Sequence, residues 1–441
     1  MEKIHGTISS SHVEVEQLKN YIGQSVKIHG TVYKIREMSG FAFVLLKTKR
    51  ALLQCVYSAD FSQFELAELK DNMGVVISGE VIKDDRSRTG IEVRLLSFEC
   101  LSVPVEETPV VINNKDVIAT LDTLLDYRPI TLRNAKERAI FQIQAGLCRG
   151  FRRFLDEHKF TEIHSPKIVF SGAEGGANIF KLDYFGKEAF LTQSPQFYKQ
   201  IMVGIYERVY EIAPVFRAEK HDTSRHVNEY TSVDLEMGFI QSFYDIMKLE
   251  TLMLSQTLDF LREHYGEELS LLRVDMPSFT EIPAVKFLEA KEMISKTYNR
   301  KITDFEDFEP EEEKLLSDLI KKQTGCDFVF VTHFKSSKRP FYAKDSSKNP
   351  ESTDSFDLLF RGMEITTGGL RIHDYNEQVA KMQMRGMNIE AFSSYLMAHK
   401  YGLPPHGGLG LGLERFTAKL LGFQNVRHAT LFPRDIVRLE P

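Results

Sequence analysis

Two segments constrain this chain more than any others: VFRAEKHDTSRHVNEYTSVDLE from Val215 to Glu236, and HGGLGLGLER from His406 to Arg415. The first reads as a strand ending in an arginine, a polar loop rich in His, Arg and Thr, and a returning strand. Such a hairpin is suited to holding a triphosphate. The second is a glycine-rich run leading into a helix that supplies another arginine. No GxxxxGKS/T occurs in the chain, so the usual phosphate cradle is absent and guanidinium groups must carry its charge work.

With 441 residues, 42% of them hydrophobic, the chain can bury a large core, and two or three domains are expected. Cys55, Cys100, Cys148 and Cys326 are far apart and form no CxxC pair, which points to neither a zinc site nor a disulfide framework. A reducing, cytoplasmic setting is the expectation. The first twenty residues lack an apolar signal core, and no apolar run approaches the ~18 residues a bilayer requires. A net charge of −6 argues against coating nucleic acid through bulk positive charge. Any RNA contact must be local.

From Ser25 to Val105, short β-type runs (VKIHGTVYKI, FAFVLLK, ALLQCVYS, VVISGEVI, IEVRLLSFECL) alternate with turn-forming stretches. Five strands and a short helix near Phe64 to Leu69 predict an OB-fold over residues 1–104, a barrel that commonly binds single-stranded nucleic acid. Residues 105–130 read as a hinge, and 131–441 as a second domain. Asn134 followed by Glu137 has the form of a capping box, and Ile140, Ile143, Leu147, Phe151 and Phe154 then recur at helical spacing. That long helix could pack on its own domain or on a second copy, and periodicity does not separate the two. Residues from about 270 to 353 are acidic and irregular and read as an insertion, with Glu311, Glu312 and Glu313 as a solvated helix start.

The order of these segments resembles the signature motifs of class II aminoacyl-tRNA synthetases, and FRAE followed by TSRHVNEYTSVDLEM resembles the aspartyl branch of archaeal and eukaryotic type. The resemblance covers nearly the whole chain and is strongest over residues 120–245 and 355–435. It implies an α+β architecture: the N-terminal OB-fold barrel, then an antiparallel catalytic sheet flanked by helices. It also implies a homodimer formed through the long helix, the strand after it and Pro166. ATP would be a substrate and Mg²⁺ the cofactor, with tRNA-Asp, and tRNA-Asn as a further candidate, the macromolecular partners.

By that resemblance Arg217 lies against the α-phosphate and the activated carboxyl, and Arg415 holds the far end of a bent ATP. These two are the catalytic candidates. Glu219 and Tyr230 face adenine, Arg225 and His226 contact the outer phosphates, and Gly412 belongs to the same ATP site. Asp357, Glu364 and the hydroxyl of Thr367 would bind the metal, as hard oxygen ligands suit Mg²⁺. Seven steps separate Asp357 from Glu364, and spacing alone does not bring them together. Lys199 in QSPQFYKQ and Arg371 in TTGGLRIH would bind the substrate's side-chain carboxylate, an anion that two cations favour over its amide. Asp234 and Glu174 would receive the ammonium group, with Gln196 and His406 nearby. Lys199 could instead be a helix-surface residue.

In the barrel, Arg36, Phe43 and Gln54 match the family's anticodon-contacting pattern, although Phe43 could equally be a core strand residue. Tyr33 and the loop from Lys83 to Thr89 lie where anticodons would be discriminated. Asparaginyl enzymes share barrel, hairpin and glycine-rich motif but place WxVEPEM-like wording where this chain has TSVDLEM, which favours aspartate. Leu370 and Thr31 depart from the common pattern. Rival readings are an asparagine-specific enzyme, an amino-acid-activating paralogue outside translation, and a catalytically idle RNA-binding protein.

Overall fold

The computed structural model describes residues 12–441 except 50, 86, 88–89, 171–177 and 221–222. The chain divides into two compact units, Met1–Ile118 and Ala119–Pro441. This boundary falls inside the segment expected as a hinge.

The first unit is a closed five-stranded barrel in the order β1-β2-β3-β5-β4, built from β1 (Ser25–Glu37), β2 (Ala42–Lys47), β3 (Leu52–Tyr57), β4 (Gly74–Lys83) and β5 (Ile91–Ser102). Period-two alternation sends Val26 and Ile28 of β1, Ala42, Val44 and Leu46 of β2, and Leu53 and Cys55 of β3 into the interior, where all are buried. The helix expected near Phe64 to Leu69 is a single 3₁₀ turn, Leu66–Glu68, closed by a reciprocal Glu65/Glu68 capping box. The Tyr33 hydroxyl donates to the Ile112 carbonyl at 2.7 Å. That ties the Tyr33 ring into the unit, where it is 8% exposed.

In the second unit, α1 (Leu121–Asp126) and α2 (Arg128–Thr131) occupy the latter part of the expected hinge and precede α3 (Ala135–Glu157). Asn134 caps α3 by accepting from the Lys136 and Glu137 amides. Glu137 does not complete a capping box. Its carboxylate lies 3.4 Å from the Arg128 guanidinium, while the Asn134 amide donates to the Thr131 carbonyl. The predicted apolar stripe of α3 is fully buried.

After α3 come β6 (Thr161–Glu162), a small sheet of β7 (Ile168–Val169), β8 (Lys181–Tyr184) and β9 (Lys187–Leu191), then α4 (Gln196–Tyr206) and the hairpin β10 (Arg208–Phe216) and β11 (Glu229–Gly238). Helix α5 (Phe243–His264) packs against α3 where Gly150 lets the backbones approach; a Cβ there would sit 2.8 Å from Thr257 Cγ2. The chain continues through α6 (Gly266–Leu272), β12 (Ala284–Lys286), α7 (Phe287–Tyr298), α8 (Pro310–Thr324), β13 (Phe328–Thr332), β14 (Ser355–Phe360) and β15 (Met363–Leu370). It closes with α9 (Tyr375–Met384), α10 (Ser393–Lys400), β16 (His406–Gly412) and α11 (Leu413–Leu420).

The main sheet has eight strands in the order β12-β13-β14-β15-β16-β11-β10-β6. Neighbours from β13 to β10 are antiparallel, and only the outer pairs β12/β13 and β10/β6 are parallel. Residues 270–353, expected as an insertion, contribute β12 and β13 to this sheet. Of the acidic helix start, Glu311 is solvated as expected, but Glu312 and Glu313 are only 2% and 8% exposed. Lys291 pairs with Glu312 at 2.6 Å, and Arg225 pairs with Glu313. One buried cation and one half-buried cation explain why carboxylates are tolerated there.

Candidate active site

A cavity of about 340 Å³ opens on the sheet between the β10–β11 loop, β15, β16, the start of α4 and the segment after β13. Its lining includes Gln196, Lys199, Arg217, Glu219, Arg225, His226, Tyr230, Asp234, Glu364, Thr367, Arg371, Gly412 and Arg415. Sequence positions separated by some two hundred residues thus meet in one place.

One end is buried and charge-balanced. Lys199 Nζ donates to Asp234 Oδ1 at 2.8 Å and to the Leu409 carbonyl at 2.9 Å, and lies 3.4 Å from Glu236 Oε2. Arg371 Nε donates to Glu236 Oε1 at 2.9 Å, and its Nη2 donates to the Gly408 carbonyl at 3.0 Å. Burial would raise the Glu236 carboxyl, but Arg371, Lys199 and the nearby His406 outweigh it and hold it below the usual carboxylate range. The glycines of β16 make room for this quartet. A Cβ at Gly408 would meet the Leu235 carbonyl at 2.0 Å and Glu236 Oε2 at 2.2 Å.

Several expectations change at this end. Lys199 is buried, which removes the surface alternative. The two cations do not face a bare pocket, since each is already paired with an acid. Asp234, expected to receive an ammonium group, lines the cavity and accepts from Lys199 and from the Ser232 hydroxyl. His406 is not in the cavity wall: its Nδ1–H donates to the Pro404 carbonyl at 2.8 Å, its Nε2 meets the Gln200 amide at 2.9 Å, and burial pushes its pKa down to about 4. Gln196 is buried against the cavity with Nε2 lacking a hydrogen-bond partner. Glu174 lies outside the described residues.

The other end is more open. Arg217 follows β10, its guanidinium 5.7 Å from the Tyr230 ring centre and 3.8 Å from Glu219. His226 lies 3.9 Å from Glu219. Asn228, a residue the sequence reading missed, ties this loop together by donating to the Arg217 and Glu219 carbonyls at 2.6 and 2.9 Å. Arg415, at the start of α11, reaches the Arg225 and Glu364 carbonyls at 3.4 and 3.3 Å. Its neighbour Glu414, also missed, accepts from the Thr231 amide at 3.0 Å and fixes the second hairpin strand.

Asp357 and Glu364 meet because they sit on the paired strands of a hairpin, not on one strand. Asp357 opposes Thr367 and Leu359 opposes Glu364, with a register shift between Leu358 and Leu359. Thr367 Oγ1 donates to Glu364 Oε1 at 3.0 Å. Burial pushes Asp357 up to about 6; Arg339 pulls it down and Glu364 pushes it further up. Arg339 was also missed. Its Nη2 stands 2.8 Å from Asp357 Oδ2, and its guanidinium lies 4.0 Å from the Phe334 ring centre. Among the described residues, no group of three or more His, Cys, Asp or Glu could hold a metal ion.

Residues 120–436 match the class II tRNA synthetases (D, K and N), and residues 26–101 match an OB-fold nucleic-acid binding domain. The chain belongs to the class II tRNA synthetase family. This synthetase is 45% identical over 430 residues to the aspartate–tRNA(Asp/Asn) ligase of Thermus thermophilus, spanning 97% of this chain and 100% of that one. It is 36% identical over 437 residues to the aspartate–tRNA(Asp) ligase of Pyrococcus furiosus, spanning 98% and 99%. Among solved structures, the asparaginyl-tRNA synthetase of Pyrococcus horikoshii complexed with asparaginyl-adenylate is similar at TM-score 0.90 and 29% identity, covering 98% of this chain and 99% of that one. The aspartyl-tRNA synthetase of Entamoeba histolytica is similar at TM-score 0.84 and 28% identity, covering 100% and 96%. Structures of both kinds share the backbone, so amino-acid choice must be argued from side chains.

In the synthetase's barrel, Arg36 opposes Phe43 across β1 and β2, and Gln54 opposes Leu45 across β2 and β3. Directly opposed residues share a face, and Phe43 and Leu45 are two apart, so all three candidates lie on one side of the sheet. Arg36 is exposed; Phe43 and Gln54 are half-buried. Phe43 is thus not a core residue. Its ring sits 5.2 Å from that of Phe41, edge to face. Leu370 packs its side chain on the main core, apart from the cavity wall.

Proposed function

We propose that this synthetase joins L-aspartate to ATP as aspartyl-adenylate and then transfers the aspartyl group to tRNA-Asp and tRNA-Asn, in line with its relatives at 45% and 44% identity, which are aspartate–tRNA(Asp/Asn) ligases. The observation that carries the amino-acid choice is the buried quartet of Lys199, Asp234, Glu236 and Arg371. Lysine and arginine only donate hydrogen bonds, so these two side chains favour a further carboxylate over an amide NH₂, from which they cannot accept. Gln196, with its unpaired amide nitrogen, would complete the substrate contacts.

The aspartate carboxylate is already an anion at neutral pH, so its attack on the α-phosphorus needs no general base. What the site must do is align the reactants and neutralise the charge that develops as pyrophosphate leaves. Arg217, at the open end of the cavity, would serve the α-phosphate; Arg225, His226 and Arg415 would serve the outer phosphates, with Glu219 and Tyr230 at adenine. A Mg²⁺ ion fits Asp357, Glu364 and Thr367, because Glu364 raises the proton affinity of its neighbour Asp357, whose buried Oδ1 has no hydrogen-bond partner. When bound, the ion would offset phosphate charge. In the second step the terminal ribose 3′-hydroxyl of tRNA would attack the mixed anhydride.

The common side of Arg36, Phe43 and Gln54 is our candidate anticodon surface, with Phe43 available for stacking and Gln54 for reading a base edge. A homodimer through the segment after α3 accords with the exposed Ile168 and Phe170 beyond Pro166, 46% and 74% accessible. None of the described helices is long and apolar enough to cross a membrane; the cytoplasmic setting and the archaeal and eukaryotic type are our reading from the sequence resemblance. Pyrophosphate exchange tests the reading: it should depend on L-aspartate and be weak with L-asparagine, and stronger exchange with asparagine would overturn it. Charging separate tRNA-Asp and tRNA-Asn transcripts decides the tRNA range.

A further inference from the structure

We infer that Glu313, on the first turn of α8, is a positioning residue for the nucleotide: it grips one edge of the Arg225 guanidinium so that the rest faces the cavity. The inference rests on the reading of that cavity as an ATP site. Arg225 donates to Glu313 Oε2 through Nη2 alone, and no hydrogen bond is formed by its Nε or Nη1 among the described residues. An arginine held by one nitrogen keeps its remaining donors for a second anion.

The grip is rigid because its own support is buried. Glu312, the preceding residue, accepts from Lys291 at 2.6 Å and from the Glu309 amide at 2.9 Å, completing a capping box that fixes the start of α8. Glu313 Oε2 also accepts from the Glu364 amide at 3.1 Å. The same oxygen therefore joins the phosphate loop to the strand that carries a metal-site carboxylate. Arg415 closes the circuit by donating to the carbonyls of both Arg225 and Glu364. Three parts of the nucleotide site are thus set relative to one another by a carboxylate that does not line the cavity. Burial pushes the Glu313 carboxyl up to about 7, and Arg225 is the main influence that pulls it down. Without that partner the group would have little reason to be charged there.

Glu313→Gln keeps the shape and can still accept from the Glu364 amide, so it isolates the charged grip. In ATP-dependent pyrophosphate exchange, the KM for ATP should rise roughly 5- to 20-fold while the KM for aspartate stays within about twofold. Adding Glu313→Gln to Arg225→Gln should change the KM for ATP by less than about twofold, because the pair acts as a unit. An unchanged or lowered KM for ATP in the folded single variant would overturn the inference, and so would independent effects in the double variant. A lowered value would mean the carboxylate competes with phosphate. Should Glu313→Gln not fold, Glu313→Asp keeps the charge one methylene short: a raised KM for ATP supports the grip, and a wild-type value overturns it. Wild-type protein that shows no ATP-dependent exchange with any amino acid would sink the functional reading itself, a result separable from these.

Discussion

The two ends of the cavity are built on different principles. At the amino-acid end, the side chains of Lys199, Asp234, Glu236 and Arg371 are at most 7% exposed and are held by contacts as short as 2.8 Å. At the phosphate end, the side chains of Arg217, Arg415 and Glu364 are 40%, 26% and 36% exposed, and their ion-pair separations are 3.8 Å. On the proposed reading, choosing between a carboxylate and an amide of nearly equal shape requires charges that cannot rearrange, and this end is neutralised and locked in advance. A triphosphate brings its own large charge, so on the proposed reading Arg217 and Arg415 can remain loosely paired and hydrated until it arrives, while Arg225 is held by Glu313.

Removing one buried partner is the strongest way to break this contrast. Glu236→Gln leaves Arg371 without its acid, and loss of one member of a buried ion pair typically costs ~3–5 kcal/mol. Urea unfolding of the catalytic unit should show a loss of that order. A change within about 0.5 kcal/mol would mean the quartet is not an interdependent structural unit. At the open end the expectation inverts. Arg217→Ala should leave unfolding within about 0.5 kcal/mol, because the side chain is 40% exposed and its pairing is long. Yet adenylate formation should fall at least ~100-fold if Arg217 stabilises transition-state charge. Near-normal exchange by the folded variant would remove Arg217 from the reaction.

The sequence was most legible where chemistry is written in contiguous residues. Barrel strands, the α3 stripe and the hairpin bearing Arg217 follow from period-two and period-3.6 patterns. Glu236 was within reach, since Asp234 and Glu236 are two apart on β11 and must share a face. Glu414, adjacent to Arg415, was equally close. Arg339 and Glu313 were not legible: each enters the site from a segment whose local sequence looks like an acidic or basic surface stretch. Only the pairing of β13 with β14, set by long-range strand order, places that region beside the cavity. The Asp357–Glu364 approach needed the hairpin and its register shift, neither of which spacing alone specifies.

The smallest effect concerns the layer behind the amino-acid end. His406 stands there neutral, donating from Nδ1–H to Pro404, with Gln200 at Nε2 and the charges of Glu236 and Arg371 facing it. Burial pushes its pKa down from 6.5 to about 4. Above pH 6.5 the imidazole is neutral in folded and unfolded chains alike, and its environment is fully compatible with folding. Between about 6.5 and 4 the unfolded chain takes up the proton first, so stability must fall with pH, by no more than ~1.4 kcal/mol per unit for one group. Glu236 acts in the same direction but at lower pH, because its carboxyl is held below 4.5 in the folded state. His406→Gln carries no titrating group, so the stability gap between wild type and variant should narrow steadily from pH 7 to pH 4.5. Urea unfolding across that range measures it. A gap that stays constant would show that His406 gains its proton before the fold gives way, and that the rigidity of this end does not extend to the layer behind the quartet.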